Sequence, residues 1–257
     1  PWILAAQHHA EPKPAECESA GLDCALFAMP VFAGDDVWLA WSSRNGVFVG
    51  RSTDGGRTFP APVAVAAPVP NLDGGADTRP QLLVLPNRTL VVGYSIFKDD
   101  KYNGQVLVAR STDGGRSFST PRPVTADPAS QRFLSLAADA DGAVFATWID
   151  KRLVAAAKAR GEDPAGAALV YAWSRDGGAT FGDARVAIDT ICECCRLGAV
   201  LAQPGRPAIL FRNIYGAERD HAILTFDAPD RPGAPRRVAE DHWAIDGCPH
   251  HGPSLAI

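Results

Sequence analysis

Three stretches of the chain repeat one short pattern: RSTDGGRTF at residues 51–59, RSTDGGRSF at 110–118 and WSRDGGATF at 173–181. Each copy follows a run of alternating apolar residues, which predicts a strand, and its Asp-Gly-Gly core predicts a hairpin turn. The Asp carboxylate can accept hydrogen bonds from turn amides one or two residues ahead, and both glycines can adopt positive φ. We therefore predict that Asp54, Asp113 and Asp176 are structural residues that hold three equivalent turns.

Strand patterns recur in the same order before each copy, and about 60 residues separate one copy from the next. Two further strands are predicted upstream of each turn, and an outer strand is predicted after it. Four antiparallel strands per repeating unit are typical of a propeller blade. The fold class that we predict is therefore all-β, a β-propeller of four-stranded antiparallel blades.

The repeat extends beyond the third copy in a weaker form. A fourth unit runs from Arg196 to Val238, and a fifth begins at residues 252–257, which gives about four and a third blades. We expect an N-terminal segment at residues 1–23 and a propeller domain at 24–257. Because an unclosed propeller leaves an unpaired sheet edge, we also expect the natural fold to continue past Ile257.

Composition and charge bear on the partners of the protein. The 257-residue chain has a formal net charge of −4, which gives no broad cationic surface for nucleic acid. It contains no apolar stretch of the roughly 18 residues that cross a bilayer. We therefore expect neither a nucleic-acid partner nor a membrane span.

Arginines recur at the starts of the predicted inner strands, where the loops line one mouth of a propeller. Such guanidinium groups could converge on a carboxylate, sulfate or phosphate, because each offers a bidentate fork of donors. The candidate anion ligands are Arg79, Arg132, Arg196 and Arg212. Alternatively, each arginine pairs with a local acid such as Asp77, Glu193 or Asp150 and fastens neighbouring blades.

Cysteine and histidine cluster in the loops that enter the fourth and fifth units. The residues concerned are Cys192, Cys194, Cys195, Cys248, His250 and His251. Two disulfides that staple adjacent loops are one interpretation, with Cys17–Cys24 as a third bridge. The other is a soft-metal site for zinc or copper, since thiolates and imidazoles together suit Zn²⁺ and Cu⁺.

With these three turns, the chain resembles the sialidase (neuraminidase) superfamily, whose propellers carry BNR or Asp-box repeats. CECCR at residues 192–196 and DGCPHHGP at 246–253 are similar to motifs of a bacterial subgroup of that superfamily. The resemblance implies a six-bladed propeller, a periplasmic or secreted location and an acidic sugar as ligand. It also implies exo-sialidase-type glycoside hydrolysis as the possible activity.

The catalytic pattern of the family is incomplete in this sequence. The first carboxylate-binding arginine of sialidases lies in a Phe/Tyr-Arg-Ile-Pro motif, and residues 78–81 (TRPQ) depart from it at two of four positions. None of the four tyrosines stands in a family motif, so no catalytic residue is assigned. Two functions stay open: a glycosidase-like enzyme acting on an acidic sugar, and a catalytically silent binding or scaffold propeller.

Overall fold

The computed structural model describes residue 17, residues 19–244 and residues 251–256, and in them it is nearly all-β. The first sheet contains β1 (Phe27–Ala33), β2 (Asp36–Ser43), β3 (Gly46–Ser52) and β4 (Val63–Ala66). The second contains β5 (Gln81–Val84), β6 (Leu90–Phe97), β7 (Gly104–Ser111) and β8 (Arg122–Pro123). The third contains β9 (Gln131–Ala138), β10 (Val144–Asp150), β11 (Ala167–Ser174) and β12 (Arg185–Ile191).

The fourth sheet is built from β13 (Gly198–Gln203), β14 (Arg206–Arg212), β15 (His221–Ala228), β16 (Arg231–Pro232) and β17 (Arg236–Arg237). Both β16 and β17 pair with β15. Two short helices complete the described part: a 3₁₀ turn at Leu22–Cys24 before β1, and α1 (Arg152–Ala159) between β10 and β11. No helix in this part of the chain is long and apolar enough to cross a membrane.

Within each sheet the strands follow chain order, and every pairing is antiparallel. The prediction of four antiparallel strands per unit is therefore confirmed for the first three sheets, and the fourth contains the short fifth strand β17. The first strands of successive sheets also contact one another, β1 with β5, β5 with β9 and β9 with β13. This is how the inner strands of neighbouring propeller blades lie.

The hydrophobic core lies between successive sheets, in three clusters. One joins the first and second sheets through residues such as Trp38 and Leu82. The next joins the second and third sheets around Trp148, which is fully buried. The last joins the third and fourth sheets, where Phe145 packs against Phe226. The second and third sheets are thus packed on both faces, whereas β14 and β15 of the fourth sheet alternate between buried and more exposed residues.

The three repeated turns have the same hydrogen bonds, as the first of them illustrates. Asp54 Oδ1 accepts from the Ser52 hydroxyl at 2.6 Å and from the amides of Arg57 and Thr58 at 3.0 Å, while Oδ2 accepts from the Thr58 hydroxyl at 2.6 Å. The amides that bind the carboxylate therefore come three and four residues ahead. Our expectation of one or two residues was wrong, because two glycines at positive φ turn the chain back onto the Asp.

These hydrogen bonds favour the ionised carboxylate in all three turns. The hydroxyls of Ser52 and Thr58 hold the pKa of Asp54 well below its usual range. The hydroxyls of Ser117 and Ser111 act in the same way on the pKa of Asp113. Burial raises the pKa of Asp176, but hydrogen bonds from Thr180 and Ser174 outweigh it and lower the value to about 2.

The second glycine of the turn also packs against the preceding sheet. A Cβ at Gly115 would lie 2.8 Å from the ring of Trp38, and one at Gly178 would lie 3.0 Å from Val91. In the fourth unit, which lacks the Gly-Gly pair, Trp173 of the third sheet instead donates a hydrogen bond to the Pro229 carbonyl at 2.8 Å. The second and third turns and the corresponding corner of the fourth unit therefore touch the sheet before them, whereas Gly56 of the first turn lies near Val37 of its own sheet.

We predict that Gly115→Ala destabilises the protein more than Gly114→Ala does. Both glycines have positive φ, 83° and 73°, so an alanine costs about 1–2 kcal/mol at either position. A Cβ at Gly114 meets nothing within 4 Å, whereas one at Gly115 overlaps Trp38 and adds about 1–3 kcal/mol. Urea unfolding of the two variants measures the difference, and equal losses would contradict the close approach of the turn to the first sheet.

Candidate functional site

The loops that lead into β5, β9 and β13 meet at one end of the sheets, which we call the mouth. They comprise residues 67–80, 124–130 and 192–197. The loops between the second and third strands of the sheets lie at the same end, because both kinds of loop line one groove there. Side chains from three sheets can therefore act together at the mouth.

Two buried carboxylates on the loop before β5 are each held by an arginine from a later sheet. Arg132 Nε and Nη2 donate to the two oxygens of Asp73 at 2.7 and 2.8 Å. The side chain of Asp73 is only 4% exposed. Arg132 also lies against the rings of Phe97 and Phe133, at 5.1 and 4.8 Å from their centroids. The sequence pattern predicted Arg132 just before the strand, whereas Arg132 is the second residue of β9.

The second pair joins the second and fourth sheets. Arg196 Nη1 donates to Asp77 Oδ1 at 2.8 Å, and the amides of Arg196 and Gly252 donate to Oδ2 at 3.3 Å. Arg196 also donates to the carbonyls of Gly252 and Pro253 at 2.6 and 3.0 Å. Residues 251–256 thus lie beside the start of β13, where the sequence predicted a fifth unit.

Arg79 lies on the same loop as these two acids and differs from the other mouth arginines. Its guanidinium is half-buried, and none of the residues described accepts a hydrogen bond from it. Burial lowers the pKa of Arg79, the nearby Arg196 lowers it further, and Asp77 opposes both. A partly desolvated cation beside another cation gains most from binding an anion.

Arg212, the fourth candidate, is occupied in another way. Its guanidinium is buried and donates to the carbonyls of Arg219 and His251 at 2.5 and 2.8 Å. It also stacks on the ring of Trp243, 4.1 Å from the centroid. Of the four arginines, the structure therefore gives three a protein partner. Arg132 and Arg196 each pair with an acid, whereas Arg212 bonds to carbonyl groups. The predicted anion-binding arginines are therefore not all available to a ligand.

A groove of about 900 Å³ opens at the mouth between α1 and the loops of three sheets. Basic side chains outnumber acidic ones in its lining, five to three, although the whole chain carries a formal charge of −4. The basic residues are Lys98, Lys101, Lys151, Lys158 and Arg219, and the acidic ones are Asp99, Asp163 and Glu193. The groove is therefore a locally positive surface on an acidic protein.

Tyr102 projects beside a smaller pocket of about 130 Å³ that shares several lining residues with the groove. Its side chain is 69% exposed, and its backbone has φ of 60°, which non-glycine residues rarely adopt. Asp99 fixes this conformation by accepting hydrogen bonds from the Lys101 amide and from the amide and side chain of Asn103. The sequence pattern indicated no role for Tyr102, because only the folded loop shows that the ring is exposed at the mouth.

The predicted Cys/His cluster is seen in part. Cys192, Cys194 and Cys195 are buried, and their sulfur atoms lie within 4.8 Å of one another. Cys248 and His250 lie outside the described residues. His251 is exposed, and its carbonyl accepts a hydrogen bond from Arg212.

The Cys17–Cys24 bridge, expected as a third disulfide, is present with a Cα–Cα distance of 5.5 Å. It links the segment before the first sheet to the 3₁₀ turn that precedes β1. In the same region, Trp41 of β2 donates a hydrogen bond to the Ala20 carbonyl at 3.1 Å. The predicted Cys17–Cys24 disulfide is therefore confirmed.

No protein-family model matches the chain, and no curated protein matches it. Solved structures do. A Hadza microbial sialidase, Hz136, is 18% identical to this chain, with a TM-score of 0.54. The match covers 84% of this chain and 47% of the sialidase chain. An α-L-arabinanase of Penicillium chrysogenum, complexed with arabinobiose, is 14% identical with a TM-score of 0.57, covering 86% and 68%.

An ulvan lyase of polysaccharide lyase family PL25, bound to -[GlcA(1-4)Rha3S]-, is 10% identical with a TM-score of 0.51 and covers 77% of this chain and 50% of its own. The chain thus spans about half the length of the sialidase and of the lyase. At these identities the likeness concerns the fold. This chain is similar in fold to propeller glycosidases and lyases.

Proposed function

We propose that the protein binds an acidic carbohydrate at the mouth, with Arg79 as the partner of its anionic group. The observation that carries this proposal is the half-buried Arg79 side chain, whose buried Nε atom has no hydrogen-bond partner within the described ranges. A carboxylate or sulfate would supply the bidentate acceptor that this side chain lacks. The excess of basic side chains in the adjoining groove supports the same sign of ligand.

The exposed ring of Tyr102 supports a sugar as the body of this ligand. Ligand sites combine aromatic surface with a few polar groups that fix orientation, and Tyr102 supplies such surface beside Arg132, Lys151 and Glu193. Its strained backbone is of the kind that concentrates at ligand sites. The similar folds include one bound to arabinobiose and one bound to a glucuronate-containing saccharide.

The hydrogen bonds of the Asp73 and Asp77 carboxylates favour binding without hydrolysis as the function. A glycosidase of the common type needs one carboxyl group to protonate the leaving group and a second to act as nucleophile or base. Both oxygens of Asp73 and of Asp77 already accept hydrogen bonds from protein groups. Hydrolysis by a sialidase-type mechanism is the second candidate, supported by the fold alone.

We further propose that the protein works in an oxidising compartment, either the periplasm or the extracellular space. The Cys17–Cys24 disulfide supports this location, since stable disulfides are typical of exported proteins.

Arg79→Gln is expected to weaken the binding of 3′-sialyllactose by about 10- to 100-fold, because a charge-assisted bidentate contact contributes roughly 1.5–3 kcal/mol. Arg79→Lys restores part of the affinity, since the ammonium keeps the charge but not the fork. Isothermal titration calorimetry measures both effects, and lactose, which lacks the carboxylate, is the neutral reference ligand.

Arg122→Gln is the matched control, because Arg122 is exposed on β8, the outer strand of the same sheet. Equal affinity of the Arg79 and Arg122 variants would overturn the assignment of Arg79. In parallel, a fluorogenic sialoside is incubated with the unaltered protein. Turnover that depends on Arg79 would make the protein a glycosidase and overturn the preference for binding alone.

Tyr102→Ala is expected to weaken sialyllactose binding by about 5- to 10-fold, in line with the roughly 0.5–1.5 kcal/mol of a specific aromatic contact. Tyr102→Phe retains the ring and keeps most of the affinity. Phe32→Ala is the control, since Phe32 is 76% exposed near the far end of β1. An unchanged affinity in the Tyr102→Ala variant would show that the ring does not contribute to ligand binding.

A further inference from the structure

A second cleft, of about 520 Å³, lies at the end of the sheets opposite the mouth. Its lining includes Gly34, Pro86 and Ala140, which come from the turns between the first and second strands of the first three sheets. The loops that lead into the first strands form the mouth, so these turns lie at the other end of the same strands. A cleft of this volume is large enough for a small-molecule ligand.

The walls of this cleft are largely apolar. Trp38, Val84 and Leu90 line it, and all three belong to the hydrophobic cluster that joins the first and second sheets. Leu85, at the turn after β5, lines it as well. The apolar contact between two sheets is therefore open to the surface at this end, where it can receive the apolar part of a ligand.

The two acidic side chains of the lining are already bound by groups of the protein. Asp36 Oδ2 lies 2.7 Å from Arg51 Nη2, an ion pair within the first sheet. Asp139 is buried, and its Oδ1 atom accepts hydrogen bonds from the amides of Asp141 and Ala143 at 3.1 and 2.9 Å. Neither carboxylate is thus free to attract a cationic ligand.

The two basic side chains of the lining keep donors for a ligand. Arg51 lies over the ring of Trp38, 5.6 Å from its centroid, and its buried Nε atom has no hydrogen-bond partner among the residues that the structure describes. Arg88 is exposed at the cleft and forms no ion pair with any described residue. The charge that remains available in the cleft is therefore positive.

The turn that carries Arg88 has the same hydrogen bonds as the corresponding turn of the third sheet. In the second sheet the Arg88 amide donates to the Leu85 carbonyl at 2.8 Å, and in the third the Gly142 amide donates to the Asp139 carbonyl at 3.1 Å. Arg88 has φ of 63° and Gly142 has φ of 83°. Arg88 thus occupies the position that glycine occupies in the neighbouring sheet.

This position is unfavourable for arginine. A three-residue hairpin loop of this kind has its last residue in the left-handed conformation, for which glycine is the usual choice. Asparagine also adopts it readily, whereas a long side chain strains the backbone. Strained residues concentrate at ligand sites, where the side chain has a use that offsets the strain. The arginine at residue 88 is therefore better explained by binding than by the turn.

We propose that this cleft binds the carboxylate of a small organic acid with an apolar body, and that Arg88 anchors the carboxylate. The guanidinium offers a bidentate pair of donors to the carboxylate, and Arg51 Nε supplies a further donor nearby. The ring of Trp38 and the leucine side chains receive the apolar body. The site lies at the opposite end from Arg79, so it does not depend on the saccharide proposed for the mouth.

The test is a titration of the isotope-labelled full chain with phenylacetate, followed by two-dimensional amide NMR. Phenethyl alcohol, which lacks the carboxylate, and acetate, which lacks the ring, are the reference ligands. We expect phenylacetate to shift the amide signals of Gly34, Gly114 and Ala140 and to bind about 10- to 100-fold more tightly than the alcohol. Equal affinity for the acid and the alcohol, or shifts confined to mouth residues such as Asn103, would overturn the proposal.

Arg88→Asn separates binding from the stability of the turn, because asparagine suits the positive φ but carries no charge. We expect this variant to bind phenylacetate about 10- to 100-fold more weakly and to melt at the same temperature as the parent protein or above it. Arg88→Lys keeps the charge and retains part of the affinity. Arg206→Asn is the matched control, since Arg206 is exposed beside the corresponding turn of the fourth sheet.

Two outcomes contradict the assignment of Arg88. Phenylacetate binding by Arg88→Asn as tight as by the Arg206 control would show that the guanidinium does not anchor the carboxylate. A lower melting temperature of Arg88→Asn than of that control would show that Arg88 stabilises the fold, and would remove the argument from strain.

Discussion

The buried ion pair between Asp77 and Arg196 is the contact on which the mouth depends. It joins residues 119 positions apart, from the loops before β5 and β13, and the Gly252 amide binds the same carboxylate. A carboxylate that is 5% exposed must be paired, since an isolated buried charge costs several kcal/mol. The pair therefore fixes the second and fourth sheets and residues 251–256 in one arrangement.

This pairing also decides which groups remain for a ligand. Asp77 forms an ion pair with Arg196, and Asp73 forms one with Arg132. The two arginines therefore connect neighbouring parts of the fold. Arg79 is left beside them with its donors unused by the described residues. Arg79, the cation that we propose for an anionic ligand, is thus left over because the two neighbouring acids already pair with arginines from other sheets.

Local chemistry is what the sequence predicted well. The Asp-Gly-Gly turns, the alternating strands and the Cys17–Cys24 bridge each depend on residues that are close in the chain. The partners of the arginines depend on tertiary contacts, and sequence spacing does not determine them. Arg132 illustrates this, because its acceptor Asp73 lies 59 residues away along the chain.

For the site itself, the sequence predicted the residue types but not their arrangement in space. Arginines at the strand starts and the crowded cysteines were visible in the sequence, and the structure places Arg79 near Arg196 and Asp77. The Tyr102 ring was not singled out, because its exposure is seen only in the folded chain.

A double-mutant cycle on Asp77→Asn and Arg196→Gln tests the central contact most directly. We expect each single variant to lose about 3–5 kcal/mol of unfolding free energy in urea, because each leaves a buried charge unpaired. The double variant should lose little more than one single variant, giving a coupling energy of roughly 2 kcal/mol or more. Losses that simply add would show that Asp77 and Arg196 stabilise the protein independently, and would contradict the role of their ion pair in holding the mouth.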